Sequence, residues 1–389
     1  MMKRLLVAVI CGFPLAFGGQ LRAGEPREFV DPGVALEERV QHGDDAVVQA
    51  RQALANGDAN DPLLRSRLAQ AYFAMNRDED ALPELLWCMD DLEKRDAPQY
   101  TMEKFRVLAS LIRLAQRYEP AMAALVERRS AAEIRLRNGS PEPSDALFVT
   151  GVNLGLDDDA ATLALYQDVK GGKLGRLDLS TLRWHVLRIL LKNKEYGEIA
   201  AEFDVAARVA EAFDRYDQFM GHSVDWGAVE NRMDEWTREQ WAKMKVKSGE
   251  SIDVSLRKGV AMELRGDIAR WYEILIGTGQ SDRAREIATR LIAALDDGKT
   301  RNALARAGYR TGSPVEEHLV YAQEAFEMTG GEDLHVVDTL ARLLAGFKRR
   351  DEAIDIAEAG VQRAETAAER ELMNACLEYC RRVPASDSG

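Results

Sequence analysis

Histidine and cysteine, the residues that most often carry metal and redox chemistry, are scarce here: five and four respectively in 389 residues. His185, His222, His318 and His335 lie far apart, and no two histidines stand at the i, i+4 spacing of a helical zinc site. No GxSxG elbow, phosphate-cradling glycine loop or dinucleotide fingerprint occurs. Aromatic residues make up only 7% of the chain, which disfavours a β-sandwich and favours helices crossing closely over small residues. Positive charge is also short, with 52 Lys and Arg against 65 Asp and Glu, leaving a net charge of −13. That balance argues against nucleic acid and anionic membrane surfaces as partners. The sequence presents no catalytic constellation, metal site or cofactor motif.

One apolar run does occur, at the start. Lys3 and Arg4 precede the stretch Leu5–Gly18, and Leu21-Arg22-Ala23 ends in the small residue that signal cleavage favours. The run is too short to span a bilayer comfortably and contains Pro14. Residues 1–23 are therefore expected to be a secretory signal, so that the mature chain begins at residue 24, is periplasmic or secreted, and has no stable membrane insertion. Losing Lys3, Arg4 and Arg22 would move the net charge from −13 to −16. Cys11 would leave with the signal, and the remaining Cys88, Cys376 and Cys380 cannot all pair within one chain. Cys376 and Cys380 are four apart on a helical pattern. Their Cβ atoms would be about 5–6 Å apart, against roughly 3.5–4.5 Å in a disulfide. Cys88 lies on an apolar face and reads as a small buried hydrophobe.

The rest of the chain is periodic. In "RSRLAQAYFAMNRDEDALPELLWCM", Leu68, Ala69 and Tyr72 share a helix face, Asn76 and Arg77 end that helix, and Asp78 is placed to cap the next. Ala81, Leu85 and Cys88 then recur at helical spacing, with Ala69 and Ala81 small enough for a close crossing. The set returns as Leu108, Ala109, Ile112, Ala121 and Leu125, and again as Leu340, Ala341, Leu344, Ala353, Ala357 and Gly360. Looser copies hold Leu275, Ala284, Ala288 and Leu291, and then Tyr309, Ala322 and Ala325 with His318 at the small contact. Ala81 to Ala121 is 40 residues, with a vaguer copy near Ala161 another 40 on. Ala284 to His318 is 34, His318 to Ala353 is 35, and Ala46 stands 35 before Ala81. Such periods mean stacked helical hairpins, because one hairpin cannot cover its own apolar face. The expected fold class is all-α, an α-solenoid of helix–turn–helix repeats.

These residues resemble the tetratricopeptide repeat (TPR), a 34-residue helix–turn–helix with small and large apolar residues at these offsets. The match is best at 65–89 and 336–360, weaker at 104–128 and 268–291, and covers about half of the mature chain. Pro83 departs from the pattern and is expected to kink or delay its helix. The resulting organisation is a signal over 1–23, helical repeats of period near 40 over 24–195, an irregular insert over 196–266, TPR-like repeats over 267–382, and a disordered tail over 383–389. The insert holds Trp226, Trp236 and Trp241. The loop "RNGSPEPSD" contains the glycosylation-like triplet Asn138-Gly139-Ser140, a common chance match.

The resemblance implies that a protein or peptide partner is held on the face formed by the first helices. The residues mapped to that face are Gln70, Phe73, Arg106, Ser110, Arg113, Asp338 and Arg342. The lysine and asparagine set with which some members hold a C-terminal carboxylate is absent. The leading expectation is an exported, non-enzymatic scaffold without a cofactor. Two rivals are an exported all-helical carbohydrate-active enzyme with an (α/α) toroid, and a redox accessory using Cys376 and Cys380.

Overall fold

The computed structural model describes residues 45–95, 98–139, 145–174, 179–221 and 252–384. Among them every regular element is an α-helix. They divide into two compact units, one ending at Asn193 and one running from Lys194 onward.

In the first unit α1 (residues 45–56) is followed by α2 (Pro62–Ala74), α3 (Asp78–Glu93), α4 (Pro98–Ala115), α5 (Glu119–Arg137), α6 (Asp145–Gly155), α7 (Asp159–Lys170) and α8 (Leu179–Lys192). Each helix packs on the next from α2 onward. In addition α2 packs on α4, α4 on α6 and α6 on α8. The second unit holds α9 (Tyr196–Glu202), α10 (Val205–Gly221), α11 (Ile252–Gly277), α12 (Ser281–Ala294), α13 (Gly298–Thr311), α14 (Glu316–Thr329), α15 (Leu334–Gly346), α16 (Arg350–Arg363) and α17 (Ala367–Arg382). Here α9 and α10 pack on α11, and α11, α13, α15 and α17 form the same kind of row. Each unit is thus a stack of hairpins whose first helices touch in succession, the α-solenoid arrangement.

Local chemistry sets the helix ends. Asp61 accepts from the backbone N–H of Leu63 at 2.8 Å, with Pro62 in the first turn of α2, where its missing N–H costs nothing. Asp158 caps α7, Asp297 caps α13 and Asp333 caps α15, while Thr366 and Glu369 form a reciprocal capping box on α17. Five of the hairpin turns share one conformation. Two residues past the ends of α2, α6, α8, α11 and α15 stand Asn76, Asp157, Lys194, Gly279 and Lys348, all with φ between 55° and 75°. This left-handed residue breaks the helix and turns the chain back.

Close crossings rest on small residues. Ala69, Ala81, Ala121, Ala284, Ala341 and Ala353 are fully buried. At α4 against α6 the contact depends on glycine: a Cβ on Gly151 would fall 2.9 Å from Leu108, and one on Gly155 2.4 Å from Ile112.

Several expectations are corrected. Asp78 does not cap α3; it is the first helical residue, and it accepts a 2.6 Å hydrogen bond from Arg117. Pro83 lies inside α3 without delaying its start at Asp78. Ala109 is exposed, and Ser110 is the buried small residue on α4. Ala46 is exposed, and Val47 faces the core instead. The span expected as an insert contains α9, α10 and the first part of α11. His222, Trp226, Trp236 and Trp241 lie outside the described residues, as do the expected signal at 1–23 and most of the expected tail.

Candidate functional site

The first helices of each stack bury one side against their partners and leave another open. On α2 the open side carries Arg67 and Ala74, flanked by the half-buried Gln70 and Phe73. On α4 it carries Phe105, Arg106, Ala109 and Arg113; on α6, Leu147 and Leu154; on α8, Trp184 and Lys192. Trp184 is 49% exposed and Phe105 40%, large values for aromatic side chains that could otherwise be buried.

Five of the expected face residues, Gln70, Phe73, Arg106, Ser110 and Arg113, lie where α2 packs on α4. The Gln70 amide donates to Ser66 Oγ at 3.1 Å, and the Ser66 hydroxyl donates to the buried Glu103 carboxylate. The second oxygen of Glu103 accepts from Arg106 at 2.8 Å. Burial without a cation would cost the Glu103 carboxylate dearly, and these two donors satisfy it. Phe73 is capped by two guanidinium groups, Arg113 at 5.3 Å and Arg117 at 4.3 Å from the ring centre. Arg113 reaches Ser110 Oγ at 3.4 Å and, like Arg67, has no carboxylate partner among the described residues.

Asp338 and Arg342 are in the second unit. They pair with each other along α15 at 2.6 Å, and Arg342 lies 5.1 Å from the centre of the Tyr379 ring on α17. Tyr379 stacks edge-on against Tyr309 of α13, with ring centres 6.2 Å apart. Burial opposes the Arg342 charge, but Asp338 and a hydrogen bond with Tyr309 more than offset it and hold the guanidinium protonated. The seven expected face residues therefore form two clusters, Gln70, Phe73, Arg106, Arg113 and the buried Ser110 in one unit and Asp338 with Arg342 in the other.

The thiols sit beneath this second cluster. Cys376 and Cys380 are free and buried between α17 and α15, with sulfurs 3.8 Å and 3.7 Å from the carbonyl oxygens of Asp338 and Ala341. A hydrogen bond to Cys380, together with burial, holds the Cys376 thiol protonated. Cys88 is also free and buried, and burial pushes its thiol up to about 12. Among the described residues no group of three or more His, Cys, Asp or Glu side chains could hold a metal ion. No described helix is long and apolar enough to cross a membrane.

A buried carboxylate elsewhere has a local explanation. Glu273 on α11 accepts from Tyr196 Oη at 3.1 Å and lies 3.6 Å from Arg310, and burial raises its proton affinity. The partners tie α9 and α13 to α11; a Cβ on Gly277 would strike the Tyr196 ring at 2.2 Å, so this docking needs glycine.

Sequence inspection alone misses Arg67, Phe105, Leu147, Leu154 and Trp184. The signal was available in principle, since each stands at the solvent-facing helical position of a first helix. Finding it requires knowing which helices form the open row.

The fold and the open row of first helices define a helical-hairpin repeat protein with a row of exposed side chains. No family model matches the chain and no curated protein matches it in sequence. Among solved structures, the crystal structure of yeast Tom70 aligns over 88% of this chain and 93% of that chain, at 14% identity and a TM-score of 0.25. A likeness of that size carries no inference about function.

Proposed function

We propose that this protein is an exported, non-enzymatic scaffold that binds a protein or peptide partner on its rows of first helices. One observation carries the reading: in each unit the first helices touch in succession, which presents a continuous series of exposed side chains from separate hairpins. Stacked-hairpin proteins use such extended surfaces for binding. The signal-like residues 1–23 support export, and the acidic balance supports a soluble envelope or extracellular protein.

The test is capture from the envelope fraction of the source cell with residues 24–389 as bait. Arg106→Ala/Arg113→Ala and Arg342→Ala are run as separate variants, because they probe different units. A protein retained by wild type and lost with one variant supports the scaffold and assigns the unit. No enrichment, or equal enrichment with both variants, contradicts it. The mass of the mature N-terminus tests export: a chain starting at Gly24 is expected, and an intact Met1 in the envelope-free cytosol contradicts it.

A further inference from the structure

Charge in the first unit is sorted by helix. The first helices α2, α4, α6 and α8 carry eight Lys and Arg side chains and two acidic ones. The second helices α3, α5 and α7 carry twelve acidic and five basic side chains. Both acids of the first-helix row, Glu103 and Asp145, are buried and paired, with Arg106 and Arg135 respectively. The open side of this row therefore shows no exposed carboxylate of its own, within a chain of net charge −13. What it does show is Arg67 and Arg113, without carboxylate partners among the described residues, beside Phe105, Leu147, Leu154 and Trp184.

From this we infer that the first-helix row of the first unit docks an acidic amphipathic segment of a partner protein, its apolar side against Phe105, Leu147, Leu154 and Trp184 and its carboxylates against Arg67 and Arg113. The inference rests on the scaffold reading and adds the chemistry of what is bound. Charge complementarity selects this occupant. Basic segments are drawn to the acidic second helices and meet Arg67 and Arg113 as like charges, whereas an acidic one is repelled by the net charge of the molecule and meets cations without carboxylate partners among the described residues in this row. Arg113 is already held over Phe73, so a carboxylate that reaches it meets a positioned donor. Arg106 keeps its charge occupied by Glu103 and serves as the wall of the site rather than its anchor.

The test is fluorescence anisotropy of the full-length protein with three labelled 18-residue amphipathic peptides. They share a Leu and Ala face and carry Glu, Gln or Lys on the other. The Glu peptide is expected to bind, with affinity falling as salt rises. Arg67→Glu/Arg113→Glu is expected to weaken it at least tenfold and to strengthen the Lys peptide. Arg283→Glu/Lys348→Glu, which reverses two exposed cations outside the row, is expected to leave the Glu peptide unchanged; circular dichroism confirms that both variants fold. The acidic assignment is overturned if the Glu peptide does not bind, if the Gln peptide binds as tightly, or if reversal of Arg67 and Arg113 has no effect. The scaffold reading fails separately, when the envelope capture enriches no partner of any chemistry.

Discussion

His318 shows how one residue departs from the repeat and is accommodated. At the position where other hairpins place alanine, its ring is fully buried and hydrogen-bonded at both nitrogens. Nδ1 accepts from the Val315 backbone N–H at 2.9 Å, so Nε2 bears the proton and donates to Tyr272 Oη, also at 2.9 Å. Room for the ring comes from Gly308, where a Cβ would fall 2.2 Å from it. Gly308→Ala gains about 1 kcal/mol of helix propensity but overpacks a rigid ring at a cost of about 1–3 kcal/mol. The net expectation is destabilisation, read by denaturant unfolding, and less than additive loss when combined with His318→Ala. Burial also lowers the proton affinity of His318 below its ordinary value near 6.5. The unfolded chain then binds the proton that the fold refuses, so stability contributed by neutral His318 is full above pH 6.5 and declines as pH falls through that value. His318→Asn should flatten the fall in melting temperature between about pH 7 and 5; an unchanged slope counts against the assignment. The cysteines give a second check at this scale: all three described thiols are free and buried, so alkylation of the chain from residue 24 should label none in the native state and three in denaturant.

At the scale of helices and turns, the recurring left-handed residue was hidden from sequence inspection. Asn76, Asp157 and Gly279 are ordinary choices there, but Lys194 and Lys348 carry no turn signature, so their left-handed conformation is set by the helices they join. Lys348→Gly should therefore raise stability by about 0.5–1 kcal/mol, and Lys348→Val should lower it by about 1–3 kcal/mol. Equal melting temperatures for the two variants would contradict the strained turn. Asp297→Ala removes both the 2.7 Å cap to Thr300 N–H and the pair with Arg265, and should cost about 1–2 kcal/mol. Apolar periodicity, by contrast, was legible: Ala81, Leu85 and Cys88 are all fully buried, as their spacing requires. The second copy slipped by one residue. Ala121 is the third residue of α5 whereas Ala81 is the fourth of α3, so counting twelve back from Ala121 lands on exposed Ala109 rather than buried Ser110. Of the side chains in the proposed docking row, only Arg113 was named from the sequence. Helical phase places Arg106 and Arg113 on an open side, but the aromatic and leucine positions acquire meaning only when four separate helices are set side by side.

At the scale of the molecule, the segregation of charge between first and second helices does more than keep an acidic protein soluble. It leaves a basic and apolar row inside a field that repels acids in general, which favours selectivity over affinity. Part of this sorting in the first unit joins neighbouring helices, with Arg65 paired to Glu84 and both Arg188 and Lys192 paired to Asp159, whereas Arg67 and Arg113 have no carboxylate partner among the described residues. The claim that the first-helix row is the working surface is tested most directly by site-specific photo-crosslinking in the source cell. A crosslinking residue is placed at Ala109 on the open side of α4, and separately at Ile134, which is 58% exposed on the second helix α5. The account predicts a discrete protein adduct from Ala109 and none from Ile134. Adducts of equal yield from both positions, or from Ile134 alone, would contradict it.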